Sequence, residues 1–407
     1  MAKSLRQEII KSNIETLESS SVHAIPNIIR NKFYTVKVMW ILCFFISSIG
    51  CAIFIWDSIC DYLNFDVITN VKIDYVNKLK FPMITICSVY PQQPKNVLNM
   101  LNDTIISCTF NFIPCKIQND FEFYNDSVYN FCFRFNSGKN MKGSSVETKY
   151  AFGKGQLNAL NLELFDNSIT QFETKGFMVF ISDENIDSVN NLGIYMSSGK
   201  LTSLSITKYA IIKKPIPYSN CIDDLTSINS YHSECYKKTF SIDKKYKFSE
   251  CSSMCLQKYI GNVCNVQIAQ LGKSYYDDKR IVSYFNEADQ VDIFCATATL
   301  VKFKSSYKEL NKCDCPLECE TSGYTYSPSF ADYPTKLYAY SLVNNSPLLK
   351  SIYENNSIDN LKDNLYFLRL YFEDMKETII QHEIKIQVSD LVSGLGGTMG
   401  LFLGILL

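Results

Sequence analysis

Four thiols carry the most specific chemical signal in this chain. Cys251 and Cys255 lie four residues apart, and Cys313 and Cys315 lie two apart. On a helix the first pair shares one face; on an extended strand the second pair does. A helix and an antiparallel strand presenting two thiols each are clipped by two nested bridges, Cys251–Cys315 and Cys255–Cys313. Each bridge closes a loop of about 60 residues and stabilises by a few kcal/mol. A zinc site is the alternative, but this cluster has no nearby histidine and no Cys-x-x-Cys pair. The chain holds 16 cysteines and only three histidines, His23, His232 and His382. No metal and no cofactor is expected. No complete G-x-G-x-x-G, P-loop, G-x-S-x-G or H-E-x-x-H is present, so the chain does not read as an enzyme. GLGGTMG at 394–400 comes near a phosphate loop, yet no helix of soluble length follows it.

The elements that must position these thiols begin at a membrane. Residues 38–56, VMWILCFFISSIGCAIFIW, are 19 in a row without a charge. At about 1.5 Å per residue they nearly cross a bilayer core of roughly 30 Å. A cleaved signal peptide fits less well, because the run starts late and exceeds a typical apolar h-region. Arg30, Lys32 and Lys37 precede the run, and Asp57, Asp61 and Asp66 come after it. The positive-inside rule then puts the N-terminus in the cytosol and the chain beyond the run outside. The expected organisation is a cytosolic segment (1–37), a first transmembrane helix (38–59), a cysteine-rich extracellular domain (60–390) and the start of a second transmembrane helix (391–407). That last stretch is expected to be incomplete, since after Asp390 only 17 uncharged residues remain, five of them glycine. An exterior domain is oxidised, which favours disulfides over metal. Four sequons, at Asn102, Asn125, Asn344 and Asn355, fit glycosylation there.

Lys+Arg is 40 against Asp+Glu 41, a balance that excludes a nucleic-acid partner on charge grounds. Hydrophobic residues are 46% of the chain, which rules out wholesale disorder. Short β-branched or aromatic runs at 81–89, 176–181, 204–212 and 365–372 read as strands. Ile384, Ile386 and Val388 alternate with polar residues, as in a half-buried strand. Residues 251–259 and 342–353 read as helices. The class is α+β, a sheet core with helical additions.

At this point the residues resemble a known family. SSVHAIPNII at 20–29, FPMITIC at 81–87, CSSMCLQKYIGNVC at 251–264, CDCPLECETSGY at 313–324 and GLGGTMGLFLG at 394–404 are similar to motifs of the degenerin/epithelial sodium channel/acid-sensing ion channel family, in that family's order. The resemblance implies a homo- or heterotrimer in the plasma membrane. Each subunit has two membrane helices and a hand-shaped, disulfide-rich ectodomain: a β-rich palm and β-ball with helical thumb, finger and knuckle. It implies a pore that conducts sodium ions and is blocked by amiloride, with the lipid bilayer, sister subunits and an unidentified extracellular ligand as partners. It also implies the bridges Cys87–Cys132, Cys108–Cys115, Cys221–Cys319 and Cys264–Cys295, besides the two derived from spacing. Cys264-Asn265-Val266 stands where relatives often have Cys-x-Cys, so one thumb bridge is missing. Cys60 and Cys235 then lack partners, while Cys43 and Cys51 fall inside the membrane helix.

Several gating residues carry over with departures. The family's His-Gly gating element is His23-Ala24 here. Tyr62 matches an aromatic outside the first helix, and Tyr218 its partner, usually Trp. Gly400 and Gly404 lie at the pore and selectivity positions, but Ile405 and Leu406 replace the usual Gly/Ser-x-Ser continuation. Asp183-Glu184 sits where acid-sensing members carry an acidic pair, yet SDENIDS reads as a solvated acidic turn. The thumb side, ATATLVKFK after Cys295, has no acid, leaving Glu287, Asp289 and Asp292 as stand-ins. Weak proton gating is the expectation. The other readings are a non-conducting, single-anchor receptor or adhesion ectodomain, and a dominant-negative partial subunit.

Overall fold

The computed structural model describes residues 11–89, 97–126, 128–166, 175–183, 193–240, 245–284, 289–306, 313–353 and 358–404. The described residues fall into two compact units. One gathers Met1–Asn70, Ile216–Ser219 and His382–Leu407, the other Val71–Pro215 and Asn220–Gln381.

The first unit is helical. A short helix, α1 (Ala24–Arg30), precedes the 30-residue α2 (Tyr34–Leu63). At about 1.5 Å per residue α2 is about 45 Å long, enough for the bilayer core and both interfaces. It is the one helix, among the described residues, long and apolar enough to cross a membrane. It overruns the 38–59 stretch because nothing in its flanks breaks it: Tyr34 to Lys37 and Asp61 to Leu63 contain no Gly or Pro. The last helix, α7 (Val388–Leu403), is shorter and apolar. Its start corrects the expected strand at 384–388. Gln387 and Asp390 form a reciprocal capping box, so Val388 is already helical. Strand conformation ends at Ile384.

The second unit is built on two sheets. One has the order β11–β10–β12–β7–β3–β4, where β3 is Ile105–Phe110, β4 Ile113–Pro114, β7 Leu160–Phe165, β10 Lys200–Ile212, β11 Glu320–Asp332 and β12 Leu365–Ile384; β1 (Val67–Tyr75) also pairs with β12. The other has the order β9–β8–β2–β6–β5, with β2 Met83–Ser88, β5 Phe121–Asp126, β6 Asn130–Phe135, β8 Phe177–Ser182 and β9 Ile194–Met196. Central strands such as β2 and β8 are buried along nearly their whole length, which is why their sequences read as continuous apolar runs. One core joins both sheets through Phe81, Ile84, Ile86, Phe133, Leu160, Leu368 and Phe372. β10 runs antiparallel to β11 and parallel to β12. The parallel register slips between Ile206 and Lys208, from Phe372 to Glu377, so residues 373–376 bulge out of β12.

A helical module comes next in the chain. α3 (Phe248–Cys264) packs on α4 (Gln290–Ser305) over Met254, Ile260, Ile293, Ala296 and Phe303. Two buried glutamines finish its backbone pairing. Gln257 donates to the Ile268 carbonyl at 2.7 Å and accepts the Ile268 N–H at 3.0 Å. Gln267 accepts the N–H groups of Tyr275 and Tyr276 at 2.7 and 2.8 Å. Farther on, α5 (Lys336–Asn345) and α6 (Pro347–Tyr353) take the place of the single helix expected over 342–353. Pro347 cannot donate to the helix before it and instead begins the next. Glu163 ties this pair to the large sheet, accepting from Ser107 (2.5 Å), Tyr333 (2.9 Å) and Tyr338 (2.6 Å).

Six disulfides join Cys87–Cys132, Cys108–Cys115, Cys221–Cys319, Cys251–Cys315, Cys255–Cys313 and Cys264–Cys295. Cys87 and Cys132 are directly opposite on β2 and β6. Cys251 and Cys255 share a face of α3, but Cys313 and Cys315 are not on a strand. The Cys315 N–H bonds the Cys313 carbonyl at 2.5 Å, an i to i+2 turn. Pro316, the next residue, has no N–H to give a ladder. The tight turn therefore does what an extended strand was expected to do and presents both thiols to one helix face.

Candidate functional site

The first unit brings together residues from three distant parts of the sequence. α7 lies against α2 through Phe402. The Phe402 and Phe54 ring centroids are 5.5 Å apart, and a Cβ placed on Gly50 would meet the Phe402 ring at 3.0 Å. Gly50 is thus the gap into which Phe402 packs. Counting about 100° per residue, Ser393, Gly397 and Gly400 project to the side of α7 opposite Phe402. A Cβ on Gly394 or Gly397 would touch nothing.

The helix ends at Gly404, which adopts φ 74°. That left-handed C-cap is where glycine is favoured. The N-terminal segment meets the chain at this turn. The His23 N–H donates to the Leu403 carbonyl at 3.1 Å. A Cβ on Gly404 would lie 2.7 Å from the His23 ring. So both the dihedral and the imidazole require glycine here. His23 is also the N-cap of α1, and its carbonyl accepts from the Asn27 side chain at 2.9 Å. Ala24, the next residue, is the first of that helix and adopts ordinary helical backbone, which a methyl group tolerates.

At the other end of α2, Tyr62 and Tyr218 are joined through a third ring. Tyr62 lies 6.0 Å from Phe65, and Phe65 lies edge-on to Tyr218 at 5.6 Å. Phe65 itself has φ 51°, rare for a bulky residue. Sequence reasoning missed it; the signal was an aromatic set directly after the helix end, at Asn64-Phe65. It also missed Lys385, whose ammonium pairs with Asp66 at 2.9 Å and whose N–H donates to the Asp66 carbonyl at 3.1 Å. These contacts fasten the entry to α7 beside the exit from α2.

Of the remaining singled-out residues, Asn102, Asn125 and Asn344 are exposed. Asn355 lies outside the described residues, as do Glu184, Glu287, Ile405 and Leu406. Gly400 lies inside α7. Cys43, Cys51, Cys60 and Cys235 form no disulfide; Cys51 and Cys235 are buried. Burial pushes the Cys235 thiol up. Asp183 departs from the expected solvated turn, its side chain being only 16% exposed, while the rest of that stretch, Glu184 to Ser188, lies outside the described residues. It accepts from Ser322 at 2.9 Å and from the Tyr324 hydroxyl, with the Lys208 ammonium 4.0 Å away. Burial first, and then Asp183, push the Tyr324 phenol well above its usual range. Asp289 and Asp292 both engage Arg280, Asp289 at 3.0 Å. No group of three or more potential metal-binding side chains occurs among the described residues.

A family model described as "Amiloride-sensitive sodium channel" matches residues 16–101 and 90–405. Among curated proteins, the human bile acid-sensitive ion channel is 22% identical, over 95% of this chain and 81% of its own length. The FMRFamide-activated amiloride-sensitive sodium channel of Cornu aspersum is 20% identical, over 95% of this chain and 79% of its own. Degenerin del-1 of Caenorhabditis elegans is 25% identical, over 79% of this chain and 45% of its own.

Proposed function

The chain belongs to the amiloride-sensitive sodium channel family, and from that premise we propose that it is one subunit of a trimeric, sodium-selective channel of the plasma membrane. Its relatives are channels, not enzymes. The N-terminus is cytosolic, α2 and α7 enter the bilayer, and the cysteine-rich unit is extracellular. There the seven-stranded sheet is the palm, the five-stranded sheet the β-ball, the α3–α4 module the thumb and the α5–α6 pair the knuckle. Glycans sit on Asn102, Asn125 and Asn344. The wall opposite Phe402, with Ser393, Gly397 and Gly400, faces the ion path, where small residues leave backbone rather than side chains toward a passing cation.

The observation that carries this reading is the contact of His23 with the Leu403–Gly404 turn. In this reading a cytosolic segment touches the end of the second membrane helix, so a shift in either is felt by the other. The Tyr62–Phe65–Tyr218 chain and the Lys385–Asp66 pair are the corresponding fastening at the outer end. Opening is driven by a ligand or by force rather than by protons. Among the described acids, Asp183 accepts from Ser322 and Tyr324, and Asp289 and Asp292 both pair with Arg280.

The test is whole-cell recording from the full-length chain. Inward current that amiloride blocks, and that disappears when an impermeant cation replaces sodium, is the expected result. Surface protein that assembles as a trimer yet carries no current, under ligand, stretch or acid, would leave the non-conducting receptor reading in its place. Failure of glycosidase to shift the gel mobility would overturn the topology.

A further inference from the structure

We propose that the extracellular unit holds a site for a small zwitterion with an apolar body, an α-amino acid or a dipeptide with free termini. The site is a cavity of about 290 Å³ beside the β3–β4 hairpin, walled by Phe110, Ile113, Tyr150 and Phe152. That volume is at the low end for ligand pockets and suits a molecule of one or two residues.

The charges at the cavity select the ligand. Four charged residues line it: Lys78, Asp120, Glu147 and Lys149. Two are committed to each other, with Lys149 and Asp120 at 2.9 Å and the second Asp120 oxygen accepting the Lys116 N–H at 2.8 Å. The other two are not. The Lys78 ammonium stands 4.0 Å over the Tyr150 ring and 5.8 Å from the Phe152 ring, with no hydrogen-bond acceptor among the described residues. Glu147 has no donor or cation among them either. One exposed ammonium that faces only rings and one exposed carboxylate without a partner among the described residues thus border a single aromatic-walled space. A ligand that is only an anion meets Glu147 unpaired, and one that is only a cation meets Lys78. A zwitterion answers both, with charge-assisted hydrogen bonds at each end and its side chain against the rings. Phe152, 66% exposed, offers a face for that contact.

The hairpin that forms one wall is held in an uncommon shape. Asn111 and Phe112 have φ 49° and 64° in succession, where such turns ordinarily use Asn-Gly. The Asn111 side chain donates to the Tyr150 carbonyl at 3.3 Å, and Cys108–Cys115 closes the hairpin behind it. Backbone held this way tends to occur where a loop positions a ligand.

The experiment uses p-benzoyl-L-phenylalanine, a zwitterionic photoprobe, on the full chain at the cell surface, with labelled peptides mapped by mass spectrometry. Label on residues 110–115 or 150–152, competed by L-phenylalanine but not by phenylacetate or phenethylamine, is the expected result. Lys78→Gln and Glu147→Gln should each lower it about tenfold while surface expression holds, and Lys78→Arg should retain it. Label elsewhere, label in either glutamine variant equal to that of the unaltered chain, or full competition by either single-charge analogue would overturn the proposal. Because crosslinking is read without current, this result stands apart from whether the chain conducts.

Discussion

The helical module around α3 and the membrane end around α7 are held in opposite ways. In the module, two disulfides run from one face of α3 to a single turn, a third joins Cys264 to Cys295, and Gln257 and Gln267 complete backbone pairing in the interior. Several of its charges are paired: Glu234 meets Lys258 and accepts from Tyr275, and Arg280 meets Asp292 and the buried Asp289. The membrane end has no disulfide among its described residues. It relies on Phe402 packed against Phe54 and Gly50, backbone hydrogen bonds at His23 and Lys385, a chain of three rings and one exposed ion pair. Covalent and fully buried polar contacts are lost only by unfolding. Ring edges and exposed pairs, each worth about 1 kcal/mol or less, break and re-form within a folded protein. Under the channel reading proposed above, the readily remade contacts are the ones expected to change on gating.

The largest effect expected from breaking this contrast is at the staples. Cys255→Ser should cost about 2–5 kcal/mol and sharply lower surface expression. Cys255→Ser with Cys313→Ser should be little worse than either alone, because both remove one bridge. Additive losses in thermal unfolding of the solubilised protein would break the pairing.

Next comes Gln267→Leu, which leaves the Tyr275 and Tyr276 N–H groups buried without an acceptor. The expected loss is about 1–3 kcal/mol, read as a lower midpoint of thermal unfolding. A null result would mean that the module tolerates loosening and is less rigid than the contrast requires.

At the membrane end the sign of the comparison reverses. Gly404→Ala should cost only about 1 kcal/mol for the left-handed backbone, leaving the unfolding midpoint nearly unchanged. It should nonetheless displace His23 and alter current kinetics. Phe65→Ala and Tyr218→Ala should change gating non-additively, with a coupling of about 0.5–1.5 kcal/mol in a double-mutant cycle.

The smallest expected response is to acid. The Lys258 ammonium, and then the Tyr275 hydroxyl, hold the Glu234 carboxyl below its ordinary range. A depressed carboxyl contributes stability above its unfolded pKa, about 4.3, and loses it as pH falls through the folded value. A step from about pH 7.4 to about pH 5 stays above that window, so this pair's contribution to stability should be unchanged across it. A fall in the unfolding midpoint over that step that Glu234→Gln removes would overturn this. At the alkaline limit, the hydrogen bond to Asp314, followed by burial, pushes Tyr231 up to about 12. A raised phenol contributes below its unfolded value of about 10 and loses that contribution as pH climbs through the folded one. Absorbance titration should show Tyr231 ionising late, and Tyr231→Phe should remove that step.

Local pattern settled a good deal of this molecule. Nineteen uncharged residues in a row can only be buried or in lipid, so the 38–56 run declares a helix by itself. Cys251 and Cys255 share a helix face because the α-helical period is fixed, and β2 and β8 read as strands because their residues are apolar and β-branched or aromatic. Other features depended on local signals that a competing pattern masked, or on partners distant in sequence. Whether 313–315 is a strand or a turn was decided by Pro316 and by the α3 face it meets. The end of β12 was decided by a capping box that local alternation had masked. The burial of Asp183 results from Ser322, Tyr324 and Lys208, the first two about 140 residues away. Phe65 between two tyrosines, and His23 at the Leu403–Gly404 turn, join segments up to about 380 residues apart. Periodicity is a property of neighbours along the chain and is legible there, whereas contact between segments is a property of the folded whole.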